Sequence, residues 1–311
     1  MAFKLPDRPS PRPNPHELAD FAELLALVRG RCSATEIQRY LGRIDDNHEN
    51  IGIEDDDEQN EIISDEMMTE IGYRQHACPD GYPFRTDPTG SVLEHRVDTD
   101  SDKILLYRYL LLATRLKMRE EKIQAGIDGT QLMEELGAEI LRAYLGGGRA
   151  RSKVFGTARQ GGFEEKINDL CRSFREGGRY RNIDTGALNA NDDGLDVVGW
   201  IPFTDRLPAK VCVFGQCKTG TSWRDQVSKL DPPGFVKRWM SGTIVVDPIK
   251  AFFIAESADR AQWNGVCIYG GILFDRCRIV DVSGELDSDL SERIRIWTDA
   301  ATNRLIEWQW C

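Results

Sequence analysis

The chain has 311 residues, enough to bury one large hydrophobic core or two smaller ones, and its 41% hydrophobic and 29% charged residues are ordinary for a globular protein. Its formal net charge of −11 argues against a general nucleic-acid coat protein. The charge is uneven: residues 151–311 hold 22 basic and 22 acidic residues, whereas residues 1–150 hold 18 basic against 29 acidic. The acidity therefore belongs to the first half and says little about what the second half binds.

Cysteine usage and hydropathy indicate a cytoplasmic protein. None of the eight cysteines forms a CxxC pair, which argues against a zinc ribbon, and several lie in apolar runs, as expected in a reducing compartment. The start of the chain is proline-rich and has no apolar signal-peptide segment. The longest apolar stretch, 104–116, contains Arg108 and Arg115 and is too short for a bilayer, so we expect no membrane association.

The first half of the chain is predicted to be mostly helical. Residues 1–15 are expected to form an extended arm, and residues 16–42 have helical periodicity, with a Ser33–Glu36 capping box before a second short helix. The acidic residues 45–70 lack the spacing of an EF-hand and are interpreted as a solvated loop. Two helices, 103–124 and 128–144, follow. Three glycines at 146–148 then indicate a boundary between an acidic N-terminal region, 1–148, and a second domain, 149–311.

The second half has the pattern of an α/β (α+β) domain. Residues 163–174 form an amphipathic helix in which apolar side chains share one face. Apolar, β-rich runs follow and predict strands at 195–203, 211–218, 243–246, 252–255, 266–274 and 277–282.

Polar side chains stand at the ends of two of these predicted strands. Residues 211–218 are apolar on both faces at first and end in Gln216 and Lys218, which share one face because strand side chains alternate. Asp196 lies between apolar neighbours in the preceding strand, where a carboxylate is rarely tolerated without a partner. A hairpin-like connection through 203–210 would bring Asp196, Gln216 and Lys218 together.

These residues resemble the PD-(D/E)XK nuclease superfamily, in particular its Mrr-like restriction-endonuclease branch, in which glutamine often replaces an acidic residue. The resemblance covers roughly residues 162–255, under a third of the chain. The matching text is Asp193-Gly194-Leu195-Asp196 followed by Gln216-Cys217-Lys218. It implies a restriction-endonuclease-like central mixed sheet flanked by helices, and a role in restriction or anti-phage defence.

The resemblance also implies a Mg²⁺ (or Mn²⁺) site and a division of roles. Asp196 would be the main ligand, and the Gln216 amide oxygen and the Cys217 main-chain carbonyl would be neutral ligands. Lys218 would orient the attacking water and stabilise charge on the phosphate.

Such families also carry a glutamate on the helix before the first strand, and Glu164 and Glu165 are the candidates here. Glu164 lies about 90° from the apolar stripe of its helix and Glu165 nearly opposite that stripe, which favours Glu164. This carboxylate would supply the negative charge that Gln216 lacks.

Other chemistries are excluded by composition. No histidine follows His95, so neither an HNH nuclease site nor a Ser-His-Asp triad can lie within the second half. The GxxxxGK[ST] order of a P-loop is absent, so motor activity would have to come from a partner such as a helicase or ATPase. The Asp/Glu/Gln-x-Lys pattern also occurs at Glu120 and Glu164, but there it lies in charged helical surroundings.

Residues 149–181 hold nine basic and four acidic residues and are expected to contact nucleic-acid phosphates, although a solvated basic surface is an equal alternative. The candidate substrate contacts are Arg149, Arg151, Lys153, Arg159, Arg179 and Arg181. The sequence thus predicts a Mg²⁺-dependent endodeoxyribonuclease acting on DNA. A non-catalytic binding module and an RNA-cleaving nuclease remain as alternatives, and a sensor partner, a homo-oligomer and masking by the acidic half are left open.

Overall fold

The computed structural model describes residues 2–4, 14–40, 54–96, 101–183 and 193–307 and shows a mixed α/β protein. Up to residue 148 the elements are α1 (Pro15–Arg29), β1 (Arg31–Ser33), α2 (Ala34–Tyr40), α3 (Glu54–Ala77), β2 (Phe84–Thr86), β3 (Val92–His95), α4 (Asp102–Arg115), α5 (Met118–Glu121), β4 (Ile123–Gln124), β5 (Ile127–Asp128) and α6 (Gly129–Tyr144). Beyond it they are β6 (Arg151–Val154), α7 (Phe163–Phe174), β7 (Val197–Trp200), β8 (Cys212–Lys218), α8 (Pro232–Trp239), β9 (Ile249–Ile254), α9 (Trp263–Gly270), β10 (Ile272–Phe274), α10 (Arg276–Val282) and α11 (Ser288–Glu307). Within these ranges no helix combines the length and apolar character needed to cross a bilayer.

Capping residues in the sequence determine where several helices begin and end. The predicted capping box of α2 is confirmed: the Glu36 backbone N–H donates to Ser33 Oγ at 3.2 Å and the Ser33 N–H donates to Glu36 Oε2 at 2.8 Å. Asp128 caps α6 by accepting the Thr130 backbone N–H at 2.8 Å. The predicted helices over 128–144 and 163–174 are confirmed, and the helical prediction over 16–42 is confirmed as α1 and α2, which the strand β1 separates, with residues 41–42 outside the described residues. The predicted helix over 103–124 is wrong beyond Arg115, where the short helix α5 and the strand β4 follow.

The acidic segment is the first place where the structure contradicts the prediction made from the sequence. The expectation of a solvated loop over residues 45–70 is wrong from Glu54 onward, where α3 runs to Ala77. This helix buries Met67, Ile71 and Arg74 at helical spacing, and it packs on α1. In the sequence, the many acidic residues obscure the few apolar positions that this helix buries. Residues 45–53, and 5–13 of the expected N-terminal arm, lie outside the described residues.

Three predicted strands are also corrected. Residues 277–282 belong to helix α10, which Asp275 caps by accepting the Arg278 backbone N–H at 3.0 Å. Residues 266–274 divide into the end of α9 and the strand β10, with Gly271 at φ +75 between them. Residues 243–246 form no strand, and the Val245 N–H donates to Glu176 Oε2 at 2.9 Å. A short apolar run by itself does not separate a buried strand from a buried helix.

A five-stranded mixed sheet forms the centre of the second half, in the order β10-β9-β8-β7-β6. The pairs β6–β7 and β7–β8 are antiparallel, with Val197 opposite Gly215, whereas the pairs β8–β9 and β9–β10 are parallel, with Lys218 opposite Ile254. The predicted mixed sheet flanked by helices is therefore present. The first half contributes a three-stranded antiparallel sheet, β1-β3-β2, and the β4–β5 hairpin.

Helices cover both faces of the large sheet. On one face, α6 packs against Val197 and Val213, in a hydrophobic cluster that also includes α1 and α4. On the other face, α7 and α8 enclose Val198 and Phe214. The helix that precedes the predicted boundary at residue 148 is thus part of the packing of the sheet, while the division into two domains stays a prediction.

A buried ionic network joins the N-terminal helices to the end of the large sheet. Its members are Asp20, Glu23, Glu70, Arg74, Arg115 and Arg276, each at most 4% exposed in its side chain. Asp20 accepts from Arg74 Nη1 at 2.7 Å, from Arg115 Nε at 2.6 Å and from Arg276 Nη1 at 2.9 Å. Burial alone would raise the pKa of the Asp20 carboxyl, but the three arginines outweigh it and hold that pKa well below its usual value.

Each charge in this network depends on partners from other helices. Burial raises the pKa of Glu23 above its usual value, even though the Tyr82 and Tyr107 hydroxyls both donate to its Oε1 at 2.9 Å. An unpaired buried charge costs several kcal/mol. The helices α1, α3, α4 and α10 must therefore assemble together.

Removing one guanidinium should destabilise the whole protein. We expect Arg276→Ala to lower the free energy of unfolding by about 3–5 kcal/mol, because it leaves buried carboxylates without their partner. The measurement is urea denaturation followed by circular dichroism. Arg304→Ala is the control, since it removes only an exposed ion pair with Glu121 and should cost less than about 1 kcal/mol. Equal losses in the two variants would contradict the role of the network.

The network should also make stability fall in acid. Burial opposes the charge of Glu70, but Arg74 and His16 outweigh it and lower the pKa of Glu70 from 4.5 to about 2. Because the pKa is depressed in the folded state, this stabilisation is present above the unfolded pKa and is lost as the pH falls towards 2. Glu70 alone should contribute a loss of about 2 kcal/mol from about pH 5 to about pH 3. Glu70→Gln should remove this part of the pH dependence in urea titrations. Glu66→Gln, at an exposed position of the same helix, should keep it.

Candidate functional site

The end of β8 places polar side chains at the rim of the core. Gln216 and Lys218 lie on the same face of the strand, and Cys217 points to the opposite face, where a Cβ on Gly137 of α6 would lie 2.7 Å from its Sγ. Lys218 is 23% exposed, so its ammonium group reaches solvent, whereas Gln216 is completely buried. The strand therefore presents one accessible cation beside one enclosed amide.

Asp196 lies directly beside this strand end. Its N–H donates to Gly215 O at 2.9 Å, and its Oδ2 accepts the Cys217 N–H at 2.7 Å. The same Oδ2 is 3.8 Å from Lys218 Nζ. The structure thus brings Asp196, Gln216 and Lys218 to adjacent strand ends.

The turn before Asp196 fixes its approach to β8. Asp193 and Gly194 both have left-handed backbone conformations, with φ +47 and φ +81. Asp193 Oδ2 accepts from Trp239 Nε1 at 2.8 Å and from Arg238 Nη1, which anchors the turn to α8. Residues Asp193-Gly194-Leu195-Asp196 therefore form a tight turn that places the Asp196 carboxylate beside β8.

Gln216 is the unusual member of the group. It is 0% exposed, and neither its Oε1 nor its Nε2 has a hydrogen-bond partner among the described residues. Leaving a buried amide unpaired costs about 1–3 kcal/mol. An amide oxygen is a hard, neutral ligand of the kind that Mg²⁺ and Mn²⁺ accept, so the orphaned group fits a metal partner.

A second carboxylate, which the sequence interpretation missed, comes from α6. Glu134 is only 7% exposed, with Oε1 accepting from Thr157 Oγ1 at 2.7 Å and Oε2 accepting the Ala158 N–H at 2.8 Å. Burial, followed by the charges of Asp196 and Glu134, raises the pKa of the Cys217 thiol well above its usual value. Both carboxylates therefore act on the same point of β8, and the thiol stays neutral.

Gly156 holds the two carboxylate-bearing segments together. Its N–H donates to the main-chain oxygen of Asp196 at 2.9 Å, and its own oxygen accepts from Lys166 Nζ at 2.6 Å. A Cβ at this position would lie 2.6 Å from Glu134 Oε2. A larger residue here would therefore displace the Glu134 carboxylate from its present position.

The structure does not link the helix carboxylates expected from the sequence to this point of β8. Glu164 and Glu165 lie on the first turn of α7 and are exposed, because that helix directs its apolar residues at the sheet. No hydrogen bond or ion pair within the described ranges links either of them to Asp196 or Lys218. Glu134 is a further candidate for this role. The sequence feature that could have identified Glu134 is its position on the helical wheel of α6. It lies about 20° from Leu141 and so at the border of the apolar stripe.

The basic residues expected to contact substrate are only partly available for that role. The six are Arg149, Arg151, Lys153, Arg159, Arg179 and Arg181. Lys153 Nζ and Arg159 Nη2 each lie 2.8 Å from Asp169 Oδ2, and they lower the pKa of that carboxyl to about 2, against a smaller effect of burial. The other four are exposed, and their contact with substrate stays a prediction.

The main chain of Cys217 adds an oxygen to the same point. Lys218 O accepts the Ala255 N–H at 3.1 Å, so Lys218 directs its backbone groups toward β9 and Cys217 directs its own toward β7. The Cys217 carbonyl therefore faces the side on which Asp196 lies. The candidate metal ligands near the end of β8 are thus two carboxylates, one amide and one carbonyl.

This donor set is mixed in type. No group of three or more His, Cys, Asp or Glu side chains in the described part of the chain is arranged to hold a metal ion. Comparison of the chain with family models, with curated proteins and with solved structures gave no match.

The unpaired amide leads to a stability prediction. Without metal, Gln216→Met should raise the free energy of unfolding by about 1–2 kcal/mol, because it removes a buried amide without a partner and nearly keeps the shape. Gln124→Met is the matched control: Gln124 is also buried, but its Nε2 donates to Glu121 O at 2.9 Å, so stability should fall. Urea denaturation in EDTA measures both. A stability loss at Gln216 like that at Gln124 would mean that the amide is already paired.

Proposed function

We propose that the chain is a metal-dependent nuclease that hydrolyses phosphodiester bonds of DNA, with its site at the ends of β7 and β8. The observation that carries the proposal is the buried, unpaired Gln216 amide between Asp196 and the accessible Lys218 ammonium. The resemblance of Asp196 and Gln216-x-Lys218 to the PD-(D/E)XK superfamily supports it. So does a five-stranded mixed sheet with helices on both faces, which agrees with a restriction-endonuclease-like fold.

The proposed role of each site residue follows from its charge. Asp196, Glu134, the Gln216 amide and the Cys217 carbonyl would hold Mg²⁺ or Mn²⁺, which supplies a polarised water and offsets negative charge on the phosphate. Lys218 has a flexible stem, a compact charge and a side chain that is 23% exposed, which suits it to orient the attacking water and to stabilise the oxygens of the phosphate as charge develops on them. Glu134 restores the negative charge that Gln216 does not provide.

The site residues can be separated by activity. Plasmid, single-stranded DNA and RNA are incubated with Mg²⁺ or Mn²⁺ and the wild-type protein or a variant whose fold has been checked. We expect DNA cleavage by the wild type and a loss of at least about 100-fold in Lys218→Ala and Glu134→Gln, because each removes a charge that acts on the reacting phosphate or its metal. Glu164→Gln is the matched control and should stay within about threefold, as an exposed substitution away from the site.

Each contrary result has its own meaning. Unchanged cleavage by Lys218→Ala would overturn the site assignment. Loss in Glu164→Gln with retention in Glu134→Gln would return the helix carboxylate to α7. No cleavage of any substrate with either metal would favour a non-catalytic binding module, and cleavage of RNA alone would change the substrate class.

A further inference from the structure

A basic cleft opens just beyond the end of β8. Its volume is about 780 Å³, and four of its lining residues are basic against one carboxylate. The basic residues are Lys4, Lys117, Arg119 and Lys122. On a chain with a net charge of −11, such a concentration of positive charge marks a binding surface for an anion.

The cleft is lined by residues that are close in the chain to the candidate nuclease site. Thr219 and Gly220 line it and follow Lys218 directly in the chain. Thr130 also lines it and lies four residues before Glu134 on α6, which is one helical turn or about 6 Å. This distance is less than two base-pair steps of about 3.4 Å. A strand with a phosphate at Lys218 would therefore have its next phosphates in the cleft.

Main-chain hydrogen bonds hold the walls of the cleft in place. The Lys4 N–H donates to Arg115 O at 2.7 Å, and the Lys117 N–H donates to Ala2 O at 2.7 Å. On the opposite wall, the Gly220 N–H donates to Ala113 O at 2.9 Å. The N-terminal segment, the end of α4 and the segment after β8 thus form one rigid frame around the cavity.

The cations differ in how far they are already engaged. Lys122 Nζ lies 2.7 Å from Asp128 Oδ2, and Lys4 Nζ donates to Thr221 Oγ1 at 3.0 Å. Lys117 and Arg119 have no ion-pair partner within the described ranges, in contrast to Lys153, which Asp169 occupies. Two cations without an ion-pair partner among the described residues therefore line the cleft.

The side chains that line the cleft favour a sugar–phosphate backbone as its ligand. Among the described residues that line the cleft none is aromatic, so it offers no surface on which a base could stack. Cations and hydroxyl groups, such as Ser222, are the usual partners of phosphate oxygens. We propose that this cleft binds the sugar–phosphate backbone of the substrate strand next to the scissile phosphate. The inference rests on the proposed nuclease function and assigns the N-terminal region a direct part in substrate binding.

The test measures binding of the full-length protein without cleavage. A fluorescent oligonucleotide, as duplex DNA, single-stranded DNA or RNA, is titrated by anisotropy in EDTA from about 50 to about 200 mM salt. Each lost phosphate contact should reduce the salt slope by about 0.9, so Lys117→Gln with Arg119→Gln should reduce it by about 1.8. The wild type should then lose about tenfold more affinity than the variant across this salt range. The arm with the largest change identifies the nucleic acid.

A matched control corrects for total charge. Arg31→Gln with Arg85→Gln removes the same two charges from exposed positions of the small sheet and should leave the slope unchanged. Equal slopes for the wild type and the Lys117/Arg119 variant would overturn the proposal, and so would the absence of any binding by the wild type. Displacement of the oligonucleotide by thymidine monophosphate at equal affinity would make the cleft a small-ligand pocket instead. Because binding is measured without metal, these results are independent of whether the protein cleaves.

Discussion

The charges of α1 constrain the rest of the structure. Asp20 and Glu23 are buried in a helix that also packs on the hydrophobic core, so they need guanidinium partners inside the protein. Arg276 satisfies them and also donates from Nε to Ala255 O at 3.1 Å, just after β9. Since the Ala255 N–H donates to Lys218 O, one chain of hydrogen bonds runs from the first helix to the candidate catalytic strand. The N-terminal region is thereby linked to the candidate site through hydrogen bonds.

The charges of the candidate site are balanced differently from those of the buried ionic network. The network neutralises its charges with arginines, whereas the site places Asp196 and Glu134 around the end of β8 with a single lysine that is open to solvent. Gln216 contributes a neutral oxygen and leaves an uncompensated dipole in the core. Such an arrangement is costly for a purely structural element, and it becomes reasonable when a cation completes it.

The sequence predicted what depends on local alternation and missed what depends on tertiary contact. Asp196, Gln216 and Lys218 could be placed together, because side-chain alternation and a short connection determine their positions. For Glu134 the sequence offered only its position at the border of an apolar stripe, because its contacts with the turn at residues 155–158 follow no local pattern. The prediction of a strand over residues 277–282 is wrong for a related reason: a short apolar run is compatible with a strand or a helix, and here Asp275 caps a helix.

The position of Arg276 in the chain has a consequence for how the protein is made. It lies 256 residues after Asp20, and among the arginines it has the largest effect on that carboxyl. At roughly 5–20 residues per second, a ribosome needs about 13–51 s to pass from one to the other. During that time α1 cannot reach its final burial, so folding of the N-terminal region ends only after nearly the whole chain has been synthesised. A chain truncated before residue 276 would lack its last helices, and α1 could then not be buried in its final position.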